Sequence, residues 1–267
     1  MISFVFYANT NRLDNLLQTI RILEKQENNF LAKEIIVVFQ DRAVNLQGVK
    51  TIGLKLNTYQ KPKQCNVGVK LAKYPLVALL DSDRILPKNY FFDRCREIKR
   101  NQFVTCSFLH NCKNVYSDHD ILHNNIEYDF EQKSKINEVR FKNLFSGNTL
   151  FYKDQYLACG GMDENYIGYG FADNDMTRTI EASGMESVFH DVAEIHLWHK
   201  KEIIYQGVAY HDFRIISAIN MLYYCKKWFL HEKNTDIFCQ EIFRDLDKFD
   251  ETHKQKFIKL YKQTYGI

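Results

Sequence analysis

Two aspartates one residue apart, Asp81-Ser82-Asp83, follow directly on the apolar run Pro75–Leu80. A buried strand of that composition would deliver both carboxylates into the crevice at its carboxyl end. An Asp-x-Asp pair there can hold a hard divalent cation and leave coordination positions for a diphosphate. Asp and Ser are also ordinary turn residues, so the tripeptide alone is a weak signal. A second candidate is His196-Leu197-Trp198-His199, whose imidazoles suit half of a metal site. A third is Gly160-Gly161-Met162-Asp163-Glu164 followed by Gly168-Tyr169-Gly170-Phe171-Ala172-Asp173-Asn174-Asp175. It reads as a glycine turn, a loop, and acids at a helix N-terminus, where the helix dipole favours them with or without chemistry. His110, Cys112, His119 and His123 match no structural zinc spacing.

Such groups need a scaffold, and the chain alternates strand and helix. Ile2–Tyr7, Glu34–Phe39 and Pro75–Leu80 are continuous apolar strands, with a shorter one at Val49–Leu54. Leu13, Leu16, Leu17, Ile20 and Leu23 recur at helical spacing after a cap at Thr10 or Asn11. Further helices are predicted over Lys63–Lys73 and from Pro87 to about Arg100. Phe103–Phe108 reads as a strand, and 110–140 as a polar loop able to close over a ligand. Asn148–Tyr152 is a strand, Gln155–Cys159 a short helix, and Ala172–Ser183 a helix ended by Gly184. Ser187–His190 and Ala193–Trp198 read as two strands, and two helices follow from about Tyr210. Apolar strands alternating with helices imply an α/β protein with a mixed, mainly parallel sheet flanked by helices and a C-terminal helical appendage. Ligands of such sheets bind at the strands' carboxyl ends, which directs attention to Asn9, Gln40, Asp41 and the Asp81–Asp83 turn.

Asn66-x-Gly68, then Ala72, an apolar strand and Asp-x-Asp resemble the family-2 glycosyltransferases of the GT-A fold, a Rossmann-like fold for nucleotide-diphospho-sugar transferases. The glycine-turn segment is similar to the C-terminal signature of galactosyltransferases and chondroitin-type polymerases. The resemblance implies that Asp81 lies near the ribose and that Asp83 ligates Mn²⁺ or Mg²⁺. His199 would complete the metal site, with His196 as a further ligand. Asp173 corresponds to the catalytic base, Tyr169 to a sugar-stacking aromatic, and Gly161 to the turn beside the donor. Asp163 and Asn174 fall on the acceptor side. Asn9, Arg12, Gln40 and Asp41 take the positions that hold the uridine, Ser82 and Asn66 join the donor site, and Lys63 faces the diphosphate, with Arg84 as a weaker candidate. Two positions depart from the pattern: Phe171 stands where the family has a second glycine, and Ala172 where it has a glutamate that contacts sugar hydroxyls.

On this resemblance the chain is an inverting, metal-dependent glycosyltransferase. It would move a hexose or N-acetylhexosamine, galactose or N-acetylgalactosamine favoured, from a UDP-sugar to a hydroxyl of a glycan or lipid-linked saccharide. A non-catalytic nucleotide-sugar or glycan-binding module on the same fold is the alternative. A nucleotidyltransferase would carry a glycine-rich phosphate loop after the first strand, and Tyr7-Ala8-Asn9-Thr10-Asn11-Arg12 has no glycine. Composition agrees in outline. The 267 residues carry 36 Lys+Arg against 33 Asp+Glu, a balance without the concentrated basic face of a nucleic-acid partner. Seven cysteines with no CxxC pair suit a reducing compartment, and no signal peptide or membrane span is expected. The expectation is therefore a cytoplasmic protein of two parts, 1–205 catalytic and 206–267 helical. Lys254, Lys256, Lys259 and Lys262 would let the C-terminal helices touch the inner face of an anionic membrane.

Overall fold

The structure is a computed structural model and describes residues 1–133, 147–199, 210–229 and 233–265. Strand β1 (Ile2–Ala8) is buried along its whole length. Ile2, Phe4, Phe6 and Ala8 enter one core cluster and Val5 and Tyr7 the other. Because side chains alternate across a strand, burial of both faces is what an uninterrupted apolar run encodes. β1 pairs in parallel with β2 (Lys33–Phe39) and β4 (Leu76–Asp81), and β2 pairs in parallel with β3 (Lys50–Gly53). Helix α1 (Leu13–Gln26) covers the first face through Leu16, Ile20 and Leu23, and helix α2 (Lys61–Leu71) the second through Cys65 and Val69.

Beyond β4 the sheet turns mixed. β8 (Thr149–Tyr152) is antiparallel to β4 and to β6 (Gln102–Cys112), and β6 is parallel to β9 (Glu186–His196). The two-residue β5 (Arg84–Ile85) pairs antiparallel with the end of β9, Arg84 opposite His196. β7 (Tyr128–Lys133) adds to β6, so the described residues form one nine-stranded sheet.

Several elements differ from the sequence expectation. α3 runs over Tyr90–Glu97 only, because Asn89 enters it in a left-handed conformation and Ile98 leaves it extended. The two strands expected after Gly184 are one strand, β9, with a register shift opposite Cys106 and Phe108. A bulge absorbs the polar interruption that made them look separate. Much of the expected 110–140 loop is ordered: β6 reaches Cys112, α4 (Asp118–Leu122) carries a Ser117/Asp120 capping box, and β7 begins at Tyr128. The remainder of that loop lies outside the described residues. Short α5 (Lys153–Ala158) precedes the glycine turn and α6 (Ala172–Ala182) follows it.

Among the described residues the C-terminal part holds three helices rather than two: α7 (Tyr210–Lys227), α8 (Lys233–Arg244) and α9 (Glu251–Tyr265). They enclose a core of their own that also takes in Tyr166, with Phe171 and Ala172 packed against it. Among the described residues no helix is long and apolar enough to cross a membrane.

Candidate active site

β4 ends at Asp81, and the next two residues turn. Ser82 N–H donates to Asp81 Oδ1 at 3.0 Å, and the Thr19 hydroxyl donates to the Ser82 carbonyl at 3.1 Å. The Leu197 N–H donates to the Asp83 carbonyl at 2.9 Å. That bond and the β5–β9 pairing carry the end of β9 to the turn. His196 Nε2 and His199 Nε2 therefore lie 3.4 and 3.5 Å from Asp83 Oδ2, and the three residues form a potential metal-holding group. The fit is chemical as well as geometric. Asp83 is 1% exposed, and its Oδ1 is buried without a hydrogen-bond partner. His196 Nδ1 is 2.7 Å from Asn111 Oδ1, on the residue paired with it across β6. That contact turns the Nε2 edge of the ring toward Asp83, the arrangement by which an outer partner orients a ligating histidine.

Charge around this turn is nearly balanced. Arg12 lies 2.6 Å from Asp83 Oδ2. Buried Arg84 lies between Glu194 at 3.1 Å, Asp83 at 3.7 Å and Asp81 at 3.9 Å. Burial works against ionisation of Asp83, but the hydrogen bond from His196 and the charges of His196, Arg84 and Arg12 outweigh it and hold the carboxyl well below the usual range. Asp81 moves the other way, pushed up by burial and then by the Asp83 charge. Buried Asp83 and Glu194 and half-buried Asp81 against two arginines leave room for a cation.

A cleft of about 490 Å³ opens over the carboxyl ends of β1 and β4, with Tyr7, Asn9, Arg12, Asp81, Ser82 and His199 in its wall. Of the residues expected on the donor, Asn9, Arg12, Asp81 and Ser82 line this cleft. Gln40 and Asp41 stand behind them: Gln40 accepts from Asn9 Nδ2 at 3.4 Å, and Asp41 accepts from the Thr10 hydroxyl. Asn66 is occupied elsewhere. Its Oδ1 accepts from the Tyr156 hydroxyl and the Met162 N–H, and its Nδ2 donates to the Met162 carbonyl and Glu164. It is the clamp of the glycine turn. Gly161 has φ +73°, and a Cβ on it would come within 2.5 Å of Asn66 Oδ1, which is why this position is glycine.

Lys63 is half-buried on α2 and is not among the residues in the cleft wall. Lys61 is not in that wall either, but its side chain meets the ring of Tyr7, which is. Pro62 fits the first turn of a helix, so α2 begins two residues earlier than its periodicity suggests, and Lys61 falls at the cleft end. Its ammonium is 2.7 Å from Asp173 Oδ1 and 4.7 Å from the centre of the Tyr7 ring. Burial works against the Lys61 charge, yet Asp173, with Cys65 and Asp81 behind it, raises its pKa.

Asp173 lies in the first turn of α6. Phe171, just before that helix, has φ +65°, an uncommon conformation for a bulky residue. The family glycine expected here is thus explained by the backbone, and the ring that replaces it packs 5.5 Å from Tyr224. Tyr169 is 52% exposed and lies 5.4 Å from Phe213. Asn174 is half-buried beside Asp173. Asp163 is bound within the protein, to the Tyr223 hydroxyl at 3.0 Å and to Lys227 at 2.9 Å. Glu194, Lys227 and Trp228 escaped the sequence reading because each meets its acidic or basic partner across more than 50 residues.

This architecture is the GT-A fold of glycosyltransferases, with the Asp-x-Asp turn, the acid-bearing helix and the histidine pair at one end of its sheet. A family model described as the N-terminal domain of galactosyltransferase matches residues 131–202, a span that includes the glycine turn, Asp173 and both histidines. No curated protein sequence matches the chain significantly. Among solved structures, GalNAc-T7 with UDP, GalNAc and Mn²⁺ aligns at TM-score 0.58 and 12% identity, over 85% of this chain and 50% of that one. The chain therefore spans half the length of that relative. A mannosyltransferase from Pyrobaculum calidifontis with GDP-Man and Mn²⁺ aligns at 0.55 and 12% identity, over 98% and 73%. A mutant of Drosophila β1,4-galactosyltransferase 7 with manganese, UDP-Gal and xylobiose aligns at 0.50 and 17% identity, over 78% and 75%.

Proposed function

We propose that the protein is an inverting glycosyltransferase that moves galactose, N-acetylgalactosamine or a related hexose from a UDP-sugar to a hydroxyl of a saccharide, free or lipid-linked. The observation that carries this reading is the convergence of two groups at one cleft. Asp83 lies within 3.5 Å of both histidine Nε2 atoms, while Asp173 pairs with Lys61 above the Tyr7 ring in the cleft wall.

Asp83, His196 and His199 are the residues that would hold Mn²⁺ or Mg²⁺, which would supply positive charge against the departing diphosphate. Asn9 and Arg12 face the nucleotide, with Gln40 and Asp41 supporting them, and Asp81 and Ser82 face the ribose side. The acceptor hydroxyl attacks the anomeric carbon from the face opposite UDP. As the new C–O bond forms, the bond to the diphosphate oxygen breaks, UDP departs with that electron pair, and the Asp173 carboxylate takes the hydroxyl proton. Lys61 supports the base by keeping a positive charge against it. Tyr169 offers a ring face to the C–H groups of the acceptor sugar.

Residues 1–205 form the catalytic part and 206–267 a helical part in this reading. The reaction is cytoplasmic, and exposed Lys256, Lys259 and Lys262 on α9 suit contact with an anionic membrane face. The test is UDP release from a panel of UDP-sugars with and without Mn²⁺ and saccharide acceptors, followed by mass spectrometry of the product. Metal-dependent release that rises with acceptor supports transfer. Tight UDP-sugar binding with no release supports the non-catalytic module instead.

A further inference from the structure

Helix α7 and the residue after it meet the loop that carries Asp173 from behind, and the contacts are specific. Asn220 is 3% exposed, and its Nδ2 donates to the carbonyls of Ile167 at 2.9 Å and Tyr169 at 3.0 Å. Lys227 bridges the two ends of the loop, 2.9 Å from Asp163 Oδ2 and 2.8 Å from Asp175 Oδ2. Trp228 Nε1 donates to Asp175 Oδ1 at 2.7 Å, so both oxygens of this 1%-exposed carboxylate are held by the C-terminal part. Residues 220, 223 and 227 are spaced to share one face of a helix. The same helix approaches the loop glycines closely: a Cβ on Gly168 would lie 2.5 Å from Ile216, and one on Gly170 3.2 Å from Ser217.

The loop needs such support. Gly168, Gly170 and Phe171 all have positive φ, at +76°, +95° and +65°, a backbone that persists only where its surroundings over-determine it. Asp173 and Asp175 are two residues apart on a helix and so point to opposite sides. Asp173 meets Lys61 on the cleft side, and Asp175 meets Lys227 and Trp228 on the other. The first turn of α6 is thus gripped from both sides.

We propose that α7 positions Asp173, with Asn220 and Lys227 as the positioning residues, so that the C-terminal helices are part of the transfer machinery. This rests on the reading of Asp173 as the base. Displacement of a catalytic group by about 1 Å costs about 100-fold in rate. The test uses the full chain carrying Lys227→Met, Lys227→Arg or Asn220→Ala. The readouts are kcat and KM with the active UDP-sugar, Mn²⁺-dependent UDP binding by calorimetry, and hydrogen exchange of the 163–175 segment. Lys227→Met should lower kcat about 100-fold while leaving UDP affinity and donor KM within about twofold, and should raise exchange at 167–173. Lys227→Arg should restore most of the rate. Asn220→Ala, the milder change, carries the test if Lys227→Met does not fold. A folded variant with kcat within twofold of wild type, or unchanged exchange at 167–173, overturns the proposal. Asp173→Asn separates the two readings: if it retains full activity the base assignment falls, and exchange still decides whether α7 holds the loop.

Discussion

Lys61 Nζ lies 2.7 Å from Asp173 Oδ1, a pair whose members are 8% exposed at Lys61 and half-buried at Asp173. It joins the first turn of α2 to the first turn of α6. Lys61→Met should remove the contact that fixes the Asp173 carboxylate and lower kcat on the order of 100-fold while leaving donor KM within about twofold. A folded variant with kcat within twofold of wild type would show that Lys61 does not position Asp173.

Asn111 should matter to metal binding although it is not a ligand. Its Oδ1 orients His196, and loss of such an outer partner weakens metal affinity by about 10–100-fold. Asn111→Ala should show that drop in a Mn²⁺ titration by calorimetry, with the fold retained by circular dichroism. Unchanged affinity would remove His196 from the metal site.

Gly160 and Gly161 make a paired test of the turn. Both have positive φ, so alanine at either costs about 1 kcal/mol in backbone strain. Only Gly161 has a neighbour in the way, Asn66 Oδ1 at 2.5 Å, whereas nothing lies within 4 Å of a Cβ on Gly160. Gly161→Ala should be worse by about 2 kcal/mol through the lost Asn66 bonds. In a chain of this size that is roughly 4–8 °C of additional Tm loss. Equal Tm losses would mean that Asn66 is not the clamp.

These elements also show how far the sequence could be read. The parallel half of the sheet was legible because β1, β2 and β4 are buried on both faces and so are continuously apolar. The grouping of Asp83, His196 and His199 was legible from resemblance, since each lies in a short local motif. What escaped was set by distant partners. Lys61 was not singled out because the helix start was placed two residues late. The internal partners of Asn66 and Asp163, which are Tyr156, Tyr223 and Lys227, were not legible because nothing local shows them. β9 read as two strands because its bulge depends on β6 as partner.

Glu27 gives the fold a pH dependence separate from the cleft. It is 1% exposed and accepts the N–H groups of Phe91 and Phe92 at the start of α3. Burial pushes its carboxyl up from 4.5 to about 7, against the opposing pull of those N–H groups. A raised pKa means the folded state prefers the protonated form. The stabilisation is fully present below about pH 4.5 and is lost as pH rises through about 7. The change is on the order of 3 kcal/mol. Glu27→Gln should flatten the Tm profile between pH 5 and 8; an identical slope in both proteins would contradict the burial argument.

The central claim is metal-dependent transfer with Asp173 as base, and single-turnover UDP release from the active UDP-sugar in the presence of acceptor tests it most directly. Wild type with Mn²⁺ should release UDP. Asp173→Asn should lose acceptor-stimulated release by about 100-fold or more while binding UDP and Mn²⁺ normally in calorimetry. Asp83→Ala should lose Mn²⁺ dependence of UDP binding altogether. Full acceptor-stimulated release by Asp173→Asn, or Mn²⁺-dependent UDP binding intact in Asp83→Ala, would contradict the account.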